Sequence, residues 1–319
     1  MSDFDPLNPK PGCYRGIPAD VYHSAVAASS SILKAIHCES PAHARFLIEE
    51  PDGKTSRAME FGDSCHAALL EPRRFDVEYV VAEQCAAFTS KGNEQCSRTG
   101  VRVIEVESGP RWFCEQHAKV LRSLREVTPA NVVTARERDR LAAIRTAVWQ
   151  DPAARELMSR ATAVELTLIW EDPATGVRCK ARPDLLIERE GAPILADLKT
   201  TASAKPERFA AQAAKLGYDL QVAHYLNGLR HCGFGENGSA WVIAVESDAP
   251  HVISVFEADD YNFVQPGRDH AAAAIQTYFE CMTTGVWPGY AQPGQPLTLV
   301  LPDWILRKLA QEQFEGSLL

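Results

Sequence analysis

The spacing of apolar positions changes halfway along the chain. Between 29 and 50, SSSILKAIHCESPAHARFLIEE carries apolar residues at helical spacing behind a serine cluster suited to capping a helix start. Pro41 opens a second helix there, because a proline in the first turn forfeits no hydrogen bond. Residues 56–71 read as another helix, with Met59, Cys65, Ala68 and Leu69 available for packing, and 134–160 return to the helical pattern. Beyond 160 the period shortens to that of strands. VELTLIW (164–170), VRCKARPDLLI (177–187) and PILADLKT (193–200) alternate apolar and polar residues and are joined by the turns EDPATG and EREGA. A long helix follows, PERFAAQAAKLGYDLQVAHYLNGLR, interrupted at Gly217. Two strands, SAWVIAVE and HVISVFEA, and a closing helix over 268–284 complete the pattern. An antiparallel three-strand meander feeding a helix predicts an α/β fold.

Composition sets the scale of that fold. With 319 residues, 45% hydrophobic and 24% charged, the chain reads as one large globular domain with an insertion. No apolar run approaches the roughly 20 residues of a bilayer span. The opening MSDFDPLNPKPG is acidic and proline-rich where an export signal is basic and then apolar. The expected location is therefore cytoplasmic, with no membrane partner. Nine cysteines in such a chain point to thiols or metal ligands over disulfides. Neither an internal repeat nor a GxxxxGK[ST] loop is present, so ATP-driven chemistry is not expected. A net charge of -9 exerts no global pull on nucleic acid. A DNA partner would need a local basic patch or metal ions.

The chemistry concentrates in RPDLLIEREGAPILADLKT (182–200). Side chains two apart on a strand share a face, so Asp197 and Lys199 point to one side of the sheet. Asp184 on the neighbouring strand and Glu165 on the strand before it can converge on the same spot. Clustered carboxylates repel unless a cation lies between them, and oxygen ligands suit Mg²⁺ or Mn²⁺. A lysine beside that cation can orient a water and stabilise charge developing on a phosphate. A DxK triplet by itself is commonly surface charge, but the apolar flanks of ILADLKT place this one on a central strand, where charge must be compensated.

These residues resemble the signature of the PD-(D/E)xK nuclease superfamily, RPD followed by DLK. GDSCH (62–66) and QVAHY (221–225) are similar to the GxxxH and QxxxY motifs of its RecB-like branch. Further stretches, among them PADVYHS, SSSILK, ADLKTTASAKPERFA, GYDLQVAHYLNGL, GVWPGY and LPDW, resemble the RecE-type (exonuclease VIII) nucleases of phages and prophages. The resemblance implies an α/β restriction-endonuclease-like core with a central mixed β-sheet flanked by helices. The resemblance covers nearly the whole chain except the stretch where the composition changes to cysteines, glycines and polar residues, which divides the chain into an N-terminal helical part (1–81), a Cys-rich insertion (82–118) and a nuclease core (119–319). It makes Asp184 and Asp197 metal-binding carboxylates, Leu198 a further ligand through its carbonyl, and Lys199 the catalytic lysine. His66 ligates or adjoins the metal, Glu165 completes the acidic set, and Gln221 and Tyr225, one helical turn apart, contact DNA or order the site. The activity implied is Mg²⁺-dependent, processive 5'-to-3' digestion of double-stranded DNA ends by a ring-shaped homo-oligomer, beside a partner annealing protein. Two alternatives stay open: an endonuclease or single-strand-specific nuclease of the same superfamily, and a catalytically inactive zinc-bearing DNA-binding module.

Local charge supports a phosphate-bearing partner. Between 178 and 215, Arg178, Lys180, Arg182, Arg189, Lys199, Lys205, Arg208 and Lys215 face Asp184, Glu188, Glu190, Asp197 and Glu207, eight against five. Ser29 to Ser31 with Lys34 read equally as a terminal-phosphate site at a helix N-terminus and as a plain cap. The stretch from 85 to 117 offers Cys85, Cys96, Cys114 and His117, three thiols and an imidazole that make a closed tetrahedral set for structural zinc. Its layout, with Thr89 and Gly92 between the first two cysteines, resembles small treble-clef or ribbon modules. An iron-sulfur cluster is the second reading, though such clusters normally use four cysteines. Cys13, Cys38, Cys65, Cys179, Cys232 and Cys281 are expected to be small buried hydrophobes.

Overall fold

The computed structural model describes residues 4–50, 56–88, 94–127, 131–291, 294–303 and 305–307. Thr89, Gly92 and Trp304, used in the motifs above, lie outside them. Strand β1 (Gly12–Tyr14), helix α1 (Ala19–Ser24) and strand β2 (Ala28–Ser29) lead into α2 (Ser30–Lys34), a π-helical turn (Ala35–Glu39) and α3 (Pro41–Glu49). Helices α4 (Arg57–Leu70) and α5 (Pro72–Glu78) precede strand β3 (Tyr79–Ala82). Next come the hairpin β4 (Arg102–Val106) and β5 (Gly109–Phe113), helix α6 (Glu115–Val120), strand β6 (Asn131–Thr134), and helices α7 (Ala135–Gln150) and α8 (Pro152–Arg160). The second half runs β7 (Ala163–Val164), β8 (Thr167–Glu171), β9 (Arg178–Ala181), β10 (Leu185–Ile187), β11 (Ile194–Thr201), α9 (Pro206–Lys215), α10 (Tyr218–His231), β12 (Ser239–Glu246), β13 (Ile253–Glu257), a second π-helical turn (Asp260–Val264) and α11 (Gln265–Thr284).

A mixed five-stranded sheet, in the order β13-β12-β11-β10-β7, carries the fold. Its one parallel pair, β11 with β12, is joined through α9 and α10, as a parallel pair requires a crossover. Strand alternation sends Leu195 and Leu186 to one core, with Leu33, Trp170, Leu220 and Ile275. Leu185, Ile187 and Leu198 go to the opposite core, with Phe61, Leu141, Ile144 and Ile243. Both faces of the sheet are thus covered by helices, the mixed α/β arrangement expected from the sequence. No helix among the described residues is long and apolar enough to cross a membrane.

The meander differs from the sequence reading in one respect that matters for the site. The first two of its strands are each divided between two sheets. Residues 163–171 begin as β7 in the five-stranded sheet and continue as β8 in a second, four-stranded sheet, β1-β8-β9-β2. Residues 178–187 make the return journey, from β9 to β10. The first crossing turns on Glu165, a non-glycine residue at φ 51. The second turns on Arg182, Pro183 and Asp184, where proline has no N–H to give a ladder. The Glu165 N–H donates to the Asp184 carbonyl at 3.0 Å and ties the two corners together. Apolar residues continue through both halves of each segment, so alternation alone does not reveal the crossing.

Several cations counted as a basic surface are used internally. Lys180 is buried and its ammonium donates to the carbonyls of Tyr22 (2.9 Å), His23 (2.9 Å) and Ala25 (2.8 Å), closing the C-terminal end of α1. Burial lowers its pKa to about 8. Arg178, half-buried, pairs with Glu171 at 2.6 Å, whereas Lys205 stays on the surface, paired with Glu207 at 3.4 Å. Of the cysteines expected in the core, Cys65, Cys179 and Cys281 are buried, Cys38 and Cys232 are half-buried, and Cys13 on edge strand β1 is exposed.

Helices α10 and α11 meet at Gly267. A Cβ there would lie 2.2 Å from the Asp219 carbonyl oxygen, so only glycine allows this approach. Gly267→Ala is expected to destabilise the protein by about 1–3 kcal/mol, seen as a lower urea midpoint with the slope unchanged. An unshifted midpoint would mean that the two helices part without penalty.

Candidate active site

Strand β11 pairs with β10 only as far as Ala196, opposite Leu185. Beyond that point the strand has lost its neighbour, because the chain at Pro183 has turned toward the other sheet. Leu198 would be left with unpaired main-chain groups, and two side chains supply the missing partners. The Asp184 carboxylate accepts from the Leu198 N–H at 2.7 Å. His66, from α4, hydrogen-bonds the Leu198 carbonyl through Nε2 at 2.8 Å.

A carbonyl can only accept, so Nε2 of His66 carries the proton and Nδ1 presents a lone pair. Nδ1 lies 3.5 Å from Asp184 Oδ2. Burial and then the nearby Lys199 lower the His66 pKa, which favours the neutral ring a metal ligand needs. One ligand atom each from His66, Glu165 and Asp184 lie within 4.8 Å of one another. An imidazole and two carboxylates suit a hard divalent cation, and a histidine fixed by a main-chain carbonyl has the support that metal ligands usually receive. The donor set therefore fits the ion expected from the sequence.

Charge accumulates at this corner without full compensation. Burial and then the Asp197 carboxylate push Asp184 well above the ordinary carboxylate range. Glu165 is raised to about 7 by burial and by Asp184, against the pull of Arg182. The Arg182 guanidinium donates to Glu165 at 2.6 Å and to the Ile17 carbonyl at 3.0 Å, which fixes the carboxylate in place. Arg182 entered the sequence reading only as a charge; its position two residues before Asp184, across the corner from Glu165, is what gives it this partner.

Asp197 faces the same corner but is not one of the three clustered ligands. Its carboxylate is ion-paired with Lys199, its neighbour two residues on. Burial opposes the charge on Lys199, but Asp197 and Asp184 outweigh it and raise its pKa. Gln221 and Tyr225 are buried, on one face of α10. The Gln221 amide donates to Tyr225 OH at 3.0 Å and to Asp197 Oδ1 at 3.4 Å, so both residues order the acidic group from inside. The Leu198 carbonyl, expected as a further ligand, accepts from His66. Lys34 does not remain at the start of its helix: its ammonium donates to Gln221 Oε1 at 2.8 Å, at the site itself. Ser29 is the cap, accepting from the Ile32 N–H at 3.4 Å.

The second expected centre lies in the Cys-rich element. Cys85, Cys96, Cys114 and His117 present ligand atoms all within 4.8 Å of one another, and the three cysteines are buried. His117 Nδ1 lies 3.3 Å from Cys85 Sγ and 3.5 Å from Cys114 Sγ. Despite burial, the main-chain N–H of His117 and the Cys85 thiol lower the pKa of Cys114. Three thiols and one imidazole at this mutual distance fit a tetrahedral zinc ion.

A parallel-pair crossover, an acidic corner made where two strands leave the sheet, and a DxK lysine beside it are the marks of the PD-(D/E)xK nuclease superfamily. Within that class, the sequence profile of the PDDEXK-like domain of unknown function, DUF3799, matches residues 29–295, and the chain belongs to this family. None of the proteins of curated function matches the chain. Among solved structures it is similar to a candidate exonuclease from Eubacterium rectale, with a TM-score of 0.55 and 14% identity over 92% of this chain and 98% of that one. At that identity the likeness is one of fold. A further solved structure, SSO0001, aligns over 36% of this chain and 48% of that one at 17% identity with a TM-score of 0.25.

Glu165 must be ionised to hold a cation. Its pKa near 7 therefore predicts that Mn²⁺ affinity, measured by titration calorimetry, climbs as pH rises from about 6 to 8. In Arg182→Met the climb should move to higher pH, because the guanidinium that favours the carboxylate is gone. Affinity that is flat across this range would remove Glu165 from the ligand set.

Proposed function

We propose that this chain is a divalent-metal-dependent deoxyribonuclease that digests linear double-stranded DNA from its 5' ends. The observation that carries this reading is the cluster of His66, Glu165 and Asp184 within 4.8 Å, with the Lys199–Asp197 pair beside it. His66, Glu165 and Asp184 hold the cation, and Asp197 joins them as its charge is shared between metal and lysine. A bound Mg²⁺ or Mn²⁺ supplies neutralisation of the scissile phosphate and a lowered pKa for an attacking water.

The chain's own residues do the rest. Lys199 keeps its proton because Asp197 lies against it, and its ammonium stabilises the charge that builds on the phosphate oxygens. Gln221 and Tyr225 fix Asp197, and Arg182 fixes Glu165, so the acidic groups do not rearrange during the reaction. End-dependence, 5'-to-3' polarity, a ring-shaped oligomer and an annealing partner come from the RecE-type resemblance of the sequence alone; the candidate exonuclease from Eubacterium rectale, which shares the fold, supports the exonuclease reading by its name and goes no further. The Cys-rich element holds one structural zinc through Cys85, Cys96, Cys114 and His117, supported by their convergence.

Two measurements test this. Purified protein with Mg²⁺ should release label from the 5' end of linear duplex DNA, leave the closed circle of the same sequence intact, and stop on addition of EDTA. Asp184→Ala and Lys199→Ala should each lower the rate by roughly 10²–10³-fold or more. Nicking of the circle would favour an endonuclease, and wild-type rates in both variants would move the chemistry elsewhere. For the second centre, metal analysis should find about one zinc per chain. The ion should be lost from a Cys96→Ser, Cys114→Ser double variant, whereas iron would point to a cluster instead.

A further inference from the structure

Among the described residues at the acidic corner, two cations have a carboxylate in contact and a third does not. Arg182 is paired with Glu165 and Lys199 with Asp197. Lys34 makes no ion pair among the described residues, and its hydrogen bond goes to the neutral amide oxygen of Gln221. It is nonetheless close to the chemistry. Gln221 touches Asp197, and the ammonium groups of Lys34 and Lys199 lie 5.6 and 5.1 Å from the centre of the same Tyr218 ring. Burial, and then repulsion by Lys199, lower the Lys34 pKa to about 8. An ammonium in this half-buried position is charged at neutral pH, with the Asp197 carboxylate acting on it only from a distance and no carboxylate in contact with it among the described residues.

Charge counting indicates what fills that role. Glu165, Asp184 and Asp197 bring three negative charges, while Arg182 and Lys199 bring two positive ones. A divalent cation turns the balance to one positive charge, and Lys34 makes it two. A phosphodiester carries one negative charge and gains a second when an anionic oxygen adds to phosphorus. Lys34 is the group that brings the site into balance with that second charge. Its stem passes close to Gly217, where an added Cβ would lie 3.2 Å from Lys34 Cγ, and the ammonium is oriented toward the site by its hydrogen bond to Gln221.

We propose that Lys34 grips a nonbridging phosphate oxygen of the DNA strand in the active site, exchanging its hydrogen bond to Gln221 for one to substrate. This rests on the nuclease reading and assigns a substrate contact to a residue outside the acidic and DxK motifs. Removing the charge removes one phosphate contact, and an arginine retains it.

The test compares wild type with Lys34→Gln, Lys34→Met and Lys34→Arg. Affinity for a short linear duplex is measured over a series of KCl concentrations, with Ca²⁺ replacing Mg²⁺ to slow cleavage, and turnover is measured separately in Mg²⁺. In the glutamine and methionine variants the slope of log affinity against log salt should fall by about 0.9, the value for one phosphate contact. Their kcat/KM should drop on the order of 10- to 100-fold, and arginine should restore the slope and most of the activity. Methionine keeps the aliphatic stem and covers the case in which glutamine disturbs folding. An unchanged salt slope in both variants overturns the proposal even where activity is lost, since Lys34 then only braces Gln221. Wild type that binds with the Lys34-dependent slope but cleaves nothing in Mg²⁺ or Mn²⁺ retains the contact and overturns the nuclease reading instead.

Discussion

The site depends on a hydrogen-bonding deficit in one peptide unit. Strand β11 continues past the point where β10 has turned away, and Leu198 must find partners for its N–H and C=O inside the protein. Leaving them unpaired would cost about 1–3 kcal/mol for each group. Asp184 and His66 answer that need, and in doing so become oriented. Asp184 is drawn onto the strand, and His66 is locked in the tautomer that turns Nδ1 toward the carboxylates. The same contacts that complete the sheet thus assemble the donors.

Around that peptide unit the carboxylates are arranged by opposite charges from other elements. Arg182 fixes Glu165, Lys199 fixes Asp197, and α10 closes the group from within through Gln221 and Tyr225. Burial first, and then the neighbouring carboxylates, raise the pKa values of Glu165 and Asp184 against the pull of these cations. Carboxylates held ready in this way favour ligands that bring positive charge.

Much of this arrangement was legible in the sequence, because it follows from simple periods. Asp197 and Lys199 share a face by the two-residue repeat of a strand, and Gln221 and Tyr225 by the four-residue repeat of a helix. The convergence of Cys85, Cys96, Cys114 and His117 was readable from ligand types and spacing. What escaped has a common cause. The sheet crossing at Glu165 and Pro183 leaves the apolar pattern intact, so one long strand and two short ones in different sheets look alike. Lys180 and Lys34 are indistinguishable from surface lysines in a linear string. Burial of the first against three carbonyls and placement of the second beside Gln221 are decided by tertiary packing. Cys13 failed in the other direction, a small apolar residue left outside by an edge strand.

The way the Cys-rich element joins the body has a consequence for its independence. The chain leaves along β3 and rejoins along β6, and these strands lie side by side in a parallel pair. The host therefore fixes where the element's chain leaves, at Ala82, and where it returns, at Asn131, and this pairing restricts the intervening segment. Its buried groups, Cys85, Ile104 and Phe113 in one cluster and Val103 and Trp112 in another, are separate from the core behind the acidic corner. The first cluster lies within the element, whereas the second also includes Ala82 of β3 and has Val132 of β6 packed against it. The strands that join the element to the body therefore share its apolar contacts, and its folding is coupled to the pairing of β3 with β6.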